Sequence, residues 1–459
     1  MKNRTLISLL VILLLALTGC QAVDGPISPS PTLTPAPTVT WTALPSPTVI
    51  PPTVTPSLTP EPSATPAPAS SPTPNPPPLP IHFQVLDEVW QAVRENYLYR
   101  DFNGVDWDQV YAEYRAKVEA GMSNEQFYQS LDEMIHRLGD EHSDYMTPDE
   151  VITREAEFSN GRNYVGIGVY TVAVPENKLV TVMGVFPGSA AEEAGIQLHD
   201  NILAVDGVTV LDEQGNRRDI LRGPEGSTGT FTVQTPGQAP RDIAITRRAV
   251  SGPIPVSRTL LTTPDGKRVG YILVPTFSDG TIGQQVGQAL QEFAAGGPLD
   301  GVILDSRQNP GGRSNVLAET LGYFINGTAG YMVNREGEYP FDVTGTDINA
   351  SQMVPLVVLV GPDSVSFGEI FPGILQDLGR AYLIGETSGG NVEILYTYDF
   401  SDGSRAFIAH DTFRPVNQPD LDWEKSGIIP DLIIPSRWDQ VTTFTDPAIQ
   451  AALQYFSGQ

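Results

Sequence analysis

Proline placement divides this chain before any periodicity is considered. Of its 41 prolines, 20 fall between Gln21 and Pro80, interleaved with Thr, Ser and Ala, and Asp24 and Glu61 are the only charged residues there. Each proline fixes φ and removes a backbone donor, so neither a helix nor a sheet ladder propagates through such a run. Its apolar content is too low to offset the ordering of the backbone, which leaves an extended, polyproline-biased spacer. At about 3.1 Å per residue, the 21–80 segment reaches at most on the order of 180 Å. A ligand for aromatic-grooved modules is the competing reading, and the Thr and Ser density permits O-glycosylation.

Upstream of the spacer, Lys2 and Arg4 precede an apolar run from Leu6 to Leu17, followed by Thr18-Gly19-Cys20. A charged start, a short apolar centre and small residues at the break read as a secretory signal over residues 1–20, short for a membrane span. The ending resembles the bacterial lipoprotein signal, in which cleavage precedes a cysteine whose thiol is lipidated. Cys20 is the single cysteine of the chain and stands at the required position. A plain signal peptide or an uncleaved anchor with a chance cysteine is the alternative. The resemblance implies an extracytoplasmic body, lipid-anchored to a bacterial cell membrane. One cysteine supplies neither an intramolecular disulfide nor a thiolate zinc cluster.

The formal charge is -27, from 54 acidic and 27 basic residues, and residues 1–80 hold Lys2 and Arg4 against Asp24 and Glu61. The whole excess therefore belongs to the remainder, and it repels phosphate backbones, so nucleic acid is not an expected partner. The whole chain is 40% hydrophobic, an ordinary globular content despite its prolines, and its length suggests two to four domains.

Residues 81–160 read as helices. Phe83, Leu86, Val89, Trp90, Val93 and Tyr97 recur at helical steps, and Trp107, Val110, Tyr111, Tyr114 and Val118 do so after Asp106, an N-cap. A third stripe, Phe127, Leu131, Met134, Ile135 and Leu138, follows Ser123, with Gln126 as capping-box partner. Residues 161–250 change to short β-like segments around Pro187-Gly188-Ser189-Ala190-Ala191, with a glycine stop at Gly195. From 251 to 459 apolar strands alternate with helices near 284–293, 314–324 and 367–378, an α/β core with a covered sheet.

Two loops at strand ends carry chemistry. Asp305-Ser306-Arg307-Gln308-Asn309-Pro310-Gly311-Gly312 closes an apolar strand, and its paired glycines let backbone N–H groups face a developing oxyanion, although a lone Gly-Gly is more often a structural turn. Val365-Ser366-Phe367-Gly368-Glu369 follows another strand, so the Ser366 hydroxyl sits at the positive end of a helix beside the Phe367 N–H. The same residues also read as a helix cap, Ser366 with Glu369 as its capping-box partner. A serine nucleophile needs a base. Lysine occurs only at 2, 117, 178, 267 and 425, and histidine at 82, 136, 142, 199 and 410. His142 lies in a polar loop among carboxylates, and Glu424 precedes the closing Gly427-Ile428-Ile429-Pro430-Asp431. Taken alone, each is more often a solvated surface residue than a catalytic one.

The middle segment resembles a PDZ domain in three ordered blocks: Tyr164-Val165-Gly166-Ile167-Gly168-Val169, Val185 to Ile196, and His199 to Gly207. The resemblance implies that Gly166, Ile167 and Gly168 present N–H groups to a peptide's terminal carboxylate beside a pairing strand edge. The wider order of motifs is similar to the C-terminal processing (tail-specific) peptidases and their tricorn-like relatives, over nearly all of residues 82–440. That family implies a crotonase-like α/β core with an N-terminal helical segment and an inserted PDZ domain. It implies Ser366 as nucleophile and the Gly312 and Phe367 N–H groups as the oxyanion hole. One departure matters: Asn391 stands where the processing peptidases carry a lysine, and asparagine cannot accept the serine proton. The tricorn-like branch uses Ser, His and Glu, which match Ser366, His142 and Glu424, with Ser143 as an auxiliary contact near the oxyanion. The resemblance implies a serine endopeptidase acting on polypeptides, with capture of C-termini. The alternative is a catalytically silent peptide-binding PDZ protein on a peptidase scaffold. No motif for a metal or an organic cofactor is present.

Overall fold

The computed structural model describes residues 75–140, 142–160 and 163–458. The expected leader, Cys20 and the spacer as far as residue 74 lie outside the described residues. Among the described residues no helix is long and apolar enough to cross a membrane.

The α/β core is built on a six-stranded sheet in the order Arg258–Thr262, Arg268–Leu273, Gly301–Asp305, Leu356–Val360, Tyr382–Gly385 and Leu432–Ile433, parallel except for its first strand. Strand alternation sends side chains to two separate cores. Val302, Leu304, Val358 and Val360 face helices Ile282–Ala295, Ser314–Gly322 and Phe367–Asp377, whereas Ile303, Val357 and Leu359 face the terminal helix Pro447–Ser457. Both faces are therefore covered, as expected for near-continuous apolar strands. The three crossover helices lie within two residues of their predicted bounds.

A second, five-stranded sheet pairs Arg405–Arg414 with Asp144–Met146, Ile394–Asp399 and Gly327–Val333, and the last of these with Glu338–Val343. Helices Pro80–Asn96, Trp107–Glu119 and Asn124–His136 pack on it through Leu86, Val89, Val93, Val110, Tyr114, Phe127 and Leu131 against Ala406 and Ile408. Both predicted caps form: Asp106 accepts from the Gln109 N–H, and Ser123 and Gln126 make a reciprocal capping box. Phe83 and Trp90, counted in the sequence stripe, are only partly buried, and Val85 fills the interior instead.

Strands Val169–Val174, Leu179–Val185, Asn201–Val205, Val208–Thr209, Thr228–Gln234 and Arg241–Thr246 form an antiparallel sheet around a core of their own. The chain enters and leaves this module through the paired strands Asn163–Gly166 and Arg248–Ser251, a two-stranded neck that identifies it as an insertion.

One irregularity of the core bears directly on the site. Pro372 lies inside the helix Phe367–Asp377 and has no N–H for the Gly368 carbonyl one turn back. The buried Ser306 hydroxyl donates to that carbonyl instead, at 2.9 Å, and so ties the 305–312 loop to the helix headed by Ser366. Ser364 Oγ donates to the Ser306 carbonyl at 2.9 Å and locks the two loops from the other side.

Candidate active site

Ser366 stands at the head of this helix with φ 55° and ψ -130°. Positive φ in a residue with a side chain is a strained state, kept only where the surroundings over-determine it. Here the Ser366 N–H donates to the Asn391 carbonyl at 2.7 Å and the Val365 N–H to the Asn309 carbonyl at 3.0 Å, which turn the backbone sharply between strand and helix. The capping-box reading fails. The Ser366 side chain makes no cap bond, and the buried Glu369 turns away to accept from Ser388 Oγ, the Gly390 N–H at 3.1 Å and the Asn391 N–H at 2.7 Å. Glu369 thus fastens the 388–391 loop beneath Ser366. Burial outweighs these bonds and lifts its carboxyl above the ordinary range.

Gly311 and Gly312 approach from the other side. A Cβ on Gly312 would lie 2.2 Å from the Phe277 carbonyl carbon, and one on Gly311 would lie 2.8 Å from Ser366 Cβ, so both positions exclude a side chain. The Gly312 and Phe367 N–H groups take no part in the backbone bonding around them, which leaves two backbone donors without a backbone acceptor in the loops around Ser366.

His142 lies between helix Asn124–His136 and the strand Asp144–Met146. Asp140 accepts from the N–H groups of His142 at 3.1 Å and Ser143 at 2.6 Å, and the strand that follows pairs with Arg405–Arg414. Ser143 does not serve the oxyanion as the sequence suggested: its hydroxyl donates to Asp140 Oδ2 and accepts from the Ala409 N–H, so it is spent on holding the loop. Glu424 arrives on the short helix Trp423–Ser426, anchored by Trp423 stacking on Phe413 with ring centroids 5.5 Å apart. Its Oε1 lies 2.7 Å from His142 Nε2, and its Oε2 accepts from the N–H groups of Val392 at 2.8 Å and Glu393 at 3.2 Å. Burial opposes protonation of His142, but the Glu424 bond and charge prevail and raise it above the ordinary histidine value. His142 and Glu424 are therefore brought together. Ser366 reaches them through one segment, Asn391 holding the Ser366 N–H while Val392 holds Glu424. The Ser366 hydroxyl and His142 are not hydrogen-bonded to each other, a separation common before substrate tightens such sites.

Two site residues escaped sequence reasoning. Glu393 is 3% exposed, with Oε1 accepting from the Tyr99 hydroxyl and Oε2 3.9 Å from His142 Nε2. Burial pushes its carboxyl up to about 7. Tyr99, 294 positions away, follows the first helix in a stretch with no motif. The four lysines among the described residues are engaged elsewhere: Lys117 with Glu113, Lys178 with Glu213, Lys267 with the Phe456 carbonyl and Lys425 with Asp422.

In the inserted module, Gly166 belongs to the neck, paired with Arg248, and not to the open loop. The loop amides are those of Ile167 and Gly168: the bridge of Gly166 with Arg222 draws on the Ile167 N–H, the Gly168 N–H takes no part in backbone bonding, and the carbonyls of both are taken by the Ala191 and Phe186 N–H groups. Gly168 and Ile167 border a cleft with Tyr164, Phe186, Arg218 and Arg222.

These features find counterparts in known proteins. Residues 268–434 match the model of peptidase family S41, 82–136 that of the tricorn protease C1 domain and 181–235 that of the PDZ domain. The carboxyl-terminal-processing protease of Synechocystis sp. is 31% identical over 390 residues, 82% of this chain and 87% of that protein. A second, from Picosynechococcus sp., is 29% identical over 80% of this chain and 88% of its own length. Among solved structures, the photosystem II D1 C-terminal processing protease aligns over 82% of this chain and 98% of its own, with 25% identity and a TM-score of 0.54. Crotonase-type core, PDZ insertion and relatives agree, and the chain belongs to the C-terminal processing serine peptidases of family S41.

Proposed function

We propose that the protein is a lipid-anchored, extracytoplasmic endopeptidase that cleaves polypeptide tails with a tricorn-like Ser366–His142–Glu424 triad in place of a serine–lysine pair. The observation that carries this reading is the 2.7 Å contact of His142 Nε2 with Glu424 Oε1 beside Asn391 at the lysine position. With Nε2–H donated to Glu424, His142 Nδ1 is the atom left to accept a proton. Ser366 Oγ passes its proton to Nδ1 and attacks the scissile carbonyl, whose oxygen takes the Gly312 and Phe367 N–H groups. The imidazolium, stabilised by ionised Glu424, then protonates the leaving amine. Water completes the cycle by the same transfers in reverse order of partners, releasing the acyl group and restoring Ser366.

The PDZ module supplies the substrate's C-terminus in this reading. The free Gly168 amide would receive the terminal carboxylate, and the edge strand Val169–Val174 follows directly. The full-length chain should label with a fluorophosphonate probe and cleave a peptide with a free C-terminus faster than its amidated twin. A folded wild type that neither labels nor cleaves would leave only the peptide-binding scaffold, and equal rates on the two peptides would remove carboxylate capture. The anchor rests on Cys20 following the apolar run. Incorporation of a tagged fatty acid in bacterial cells should disappear in Cys20→Ala, and undiminished incorporation would place the lipid elsewhere or remove it.

A further inference from the structure

Beside the nucleophile lies a largely buried cluster, with Glu424 at its more open side, that the peptidase chemistry uses only in part. One ligand atom each from His142, Glu393 and Glu424 lie within 4.8 Å of one another. His142 Nε2 is 2.7 Å from Glu424 Oε1 and 3.9 Å from Glu393 Oε2. Ligands held about 2 Å from a tetrahedral zinc ion stand roughly 3.4 Å apart, so the closer Glu424 contact would open, and the longer Glu393 contact close, by roughly 0.5–0.7 Å for His142 to share an ion with each.

The outer oxygens are already arranged as those of metal-binding carboxylates are. Glu424 Oε2 is held by the Val392 and Glu393 N–H groups, and Glu393 Oε1 by the Tyr99 hydroxyl, leaving one oxygen of each directed inward. The inward oxygen of Glu393 is the independent sign. It is buried with no hydrogen-bond partner, in a side chain only 2% exposed, and faces the imidazole. A buried polar atom without a partner is costly, and two carboxyl groups at one imidazole make the vicinity attractive to a positive ion.

We propose that His142, Glu393 and Glu424 form a reversible, inhibitory site for a divalent cation of the zinc class. An imidazole nitrogen with two carboxylate oxygens suits zinc in preference to magnesium or calcium. The consequence for catalysis rests on the triad reading above. A neutral imidazole that binds a metal through Nε2 carries its only proton on Nδ1. That atom then has no lone pair for the Ser366 proton, and Glu424 has exchanged its histidine bond for the metal. The cation and the productive His142–Glu424 pair therefore exclude each other, and removal of the cation restores the base. Unlike a cofactor, the metal would switch the peptidase off.

Binding is tested apart from catalysis in full-length Ser366→Ala, since Ser366 is not among the ligands. The chelator-treated chain is titrated with Zn²⁺ against a chromogenic zinc indicator. One equivalent should bind tightly, and Glu393→Gln in the same background should weaken it about 10- to 100-fold. Glu424→Gln should do likewise, which guards against a folding defect peculiar to one variant. The exposed group Asp132, His136 and Asp144 provides the control for adventitious surface binding. Asp132→Asn should leave the affinity within about threefold. No saturable binding, or weakening by Asp132→Asn but by neither Glu variant, overturns the site. In the wild type, Zn²⁺ should suppress fluorophosphonate labelling at the concentration that half-fills the site, and chelator should restore it. Labelling that persists on the zinc-saturated chain overturns inhibition. A metal-free wild type that never labels instead counts against the triad, and the Ser366→Ala titration still decides the site.

Discussion

Ser366→Ala is expected to abolish fluorophosphonate labelling, and His142→Ala to lower both labelling and peptide cleavage by roughly four to six orders of magnitude. The double variant should be no slower than either single one, because the nucleophile and its base act as a unit and removing either removes the same step. Residual cleavage would come from the oxyanion donors and from substrate binding, which neither change touches. Glu424→Gln should fall between wild type and His142→Ala. Glutamine still occupies the place of the 2.7 Å partner of Nε2, but it supplies no charge to stabilise the imidazolium. Rates are to be read as kcat and kcat/KM on one peptide, with circular dichroism to confirm folding. A His142→Ala variant with wild-type kcat would remove the triad while leaving Ser366 as nucleophile. Retention of labelling in Ser366→Ala would move the nucleophile itself.

What sequence made visible in this site follows from how local each signal is. Ser366 was legible because a strand, a serine and a helix start occupy consecutive residues, and the excluded Cβ at Gly312 explains why the preceding loop ends in paired glycines. His142 and Glu424 stand 282 positions apart and were joined only through the family resemblance. The physical device that joins them is the strand Asp144–Met146, three residues long and too short to carry a period, which pairs with Arg405–Arg414. Glu393 was hidden for a different reason. It directly precedes the strand Ile394–Asp399, where an acidic residue ordinarily meets solvent, and its burial depends on Tyr99 from a distant helix end. Glu369 shows how a correct local pattern can mislead: serine and glutamate three apart at a helix start satisfy the capping rule, but the 388–391 loop competes for the carboxylate and wins. The strained Ser366 backbone and that competition are one arrangement, since Glu369 fixes the segment whose Asn391 carbonyl holds the Ser366 N–H.

Arg307→Ala should destabilise the folded core by about 3–5 kcal/mol at neutral pH, the largest effect expected from a residue that makes no contact with the proposed reacting atoms. The guanidinium is 5% exposed and binds Asp305 through Nε at 2.9 Å and Nη2 at 2.6 Å, while Nη2 also lies 2.8 Å from Asp446 Oδ2. Both carboxylates are fully buried, so truncation leaves two charges that neither water nor another cation reaches. Asp446 also caps the terminal helix by accepting from the Ala448 N–H at 2.8 Å, and Asp305 ends the strand leading into the Gly311–Gly312 loop. The network therefore joins the helix beneath the sheet to the loop that carries an oxyanion donor. Burial would raise the Asp446 carboxyl, but the Arg307 charge and hydrogen bond, with those of Ser436 and Ala448, hold it below the usual carboxylate range. A carboxyl depressed in the folded state contributes stability that is present above its unfolded pKa and is lost as pH falls through its folded one. The gap between wild type and Arg307→Ala should consequently be widest near neutrality and narrow in acid, as Asp446 gives up the charge that Arg307 holds in the wild type. Guanidinium unfolding followed by tryptophan fluorescence at a series of pH values measures this, with Trp438, whose ring lies 5.1 Å from the Arg307 guanidinium carbon, as a nearby reporter. A pH-independent gap would assign the loss to packing around Trp438. No gap at all would mean that the buried carboxylates find other partners once the guanidinium is gone.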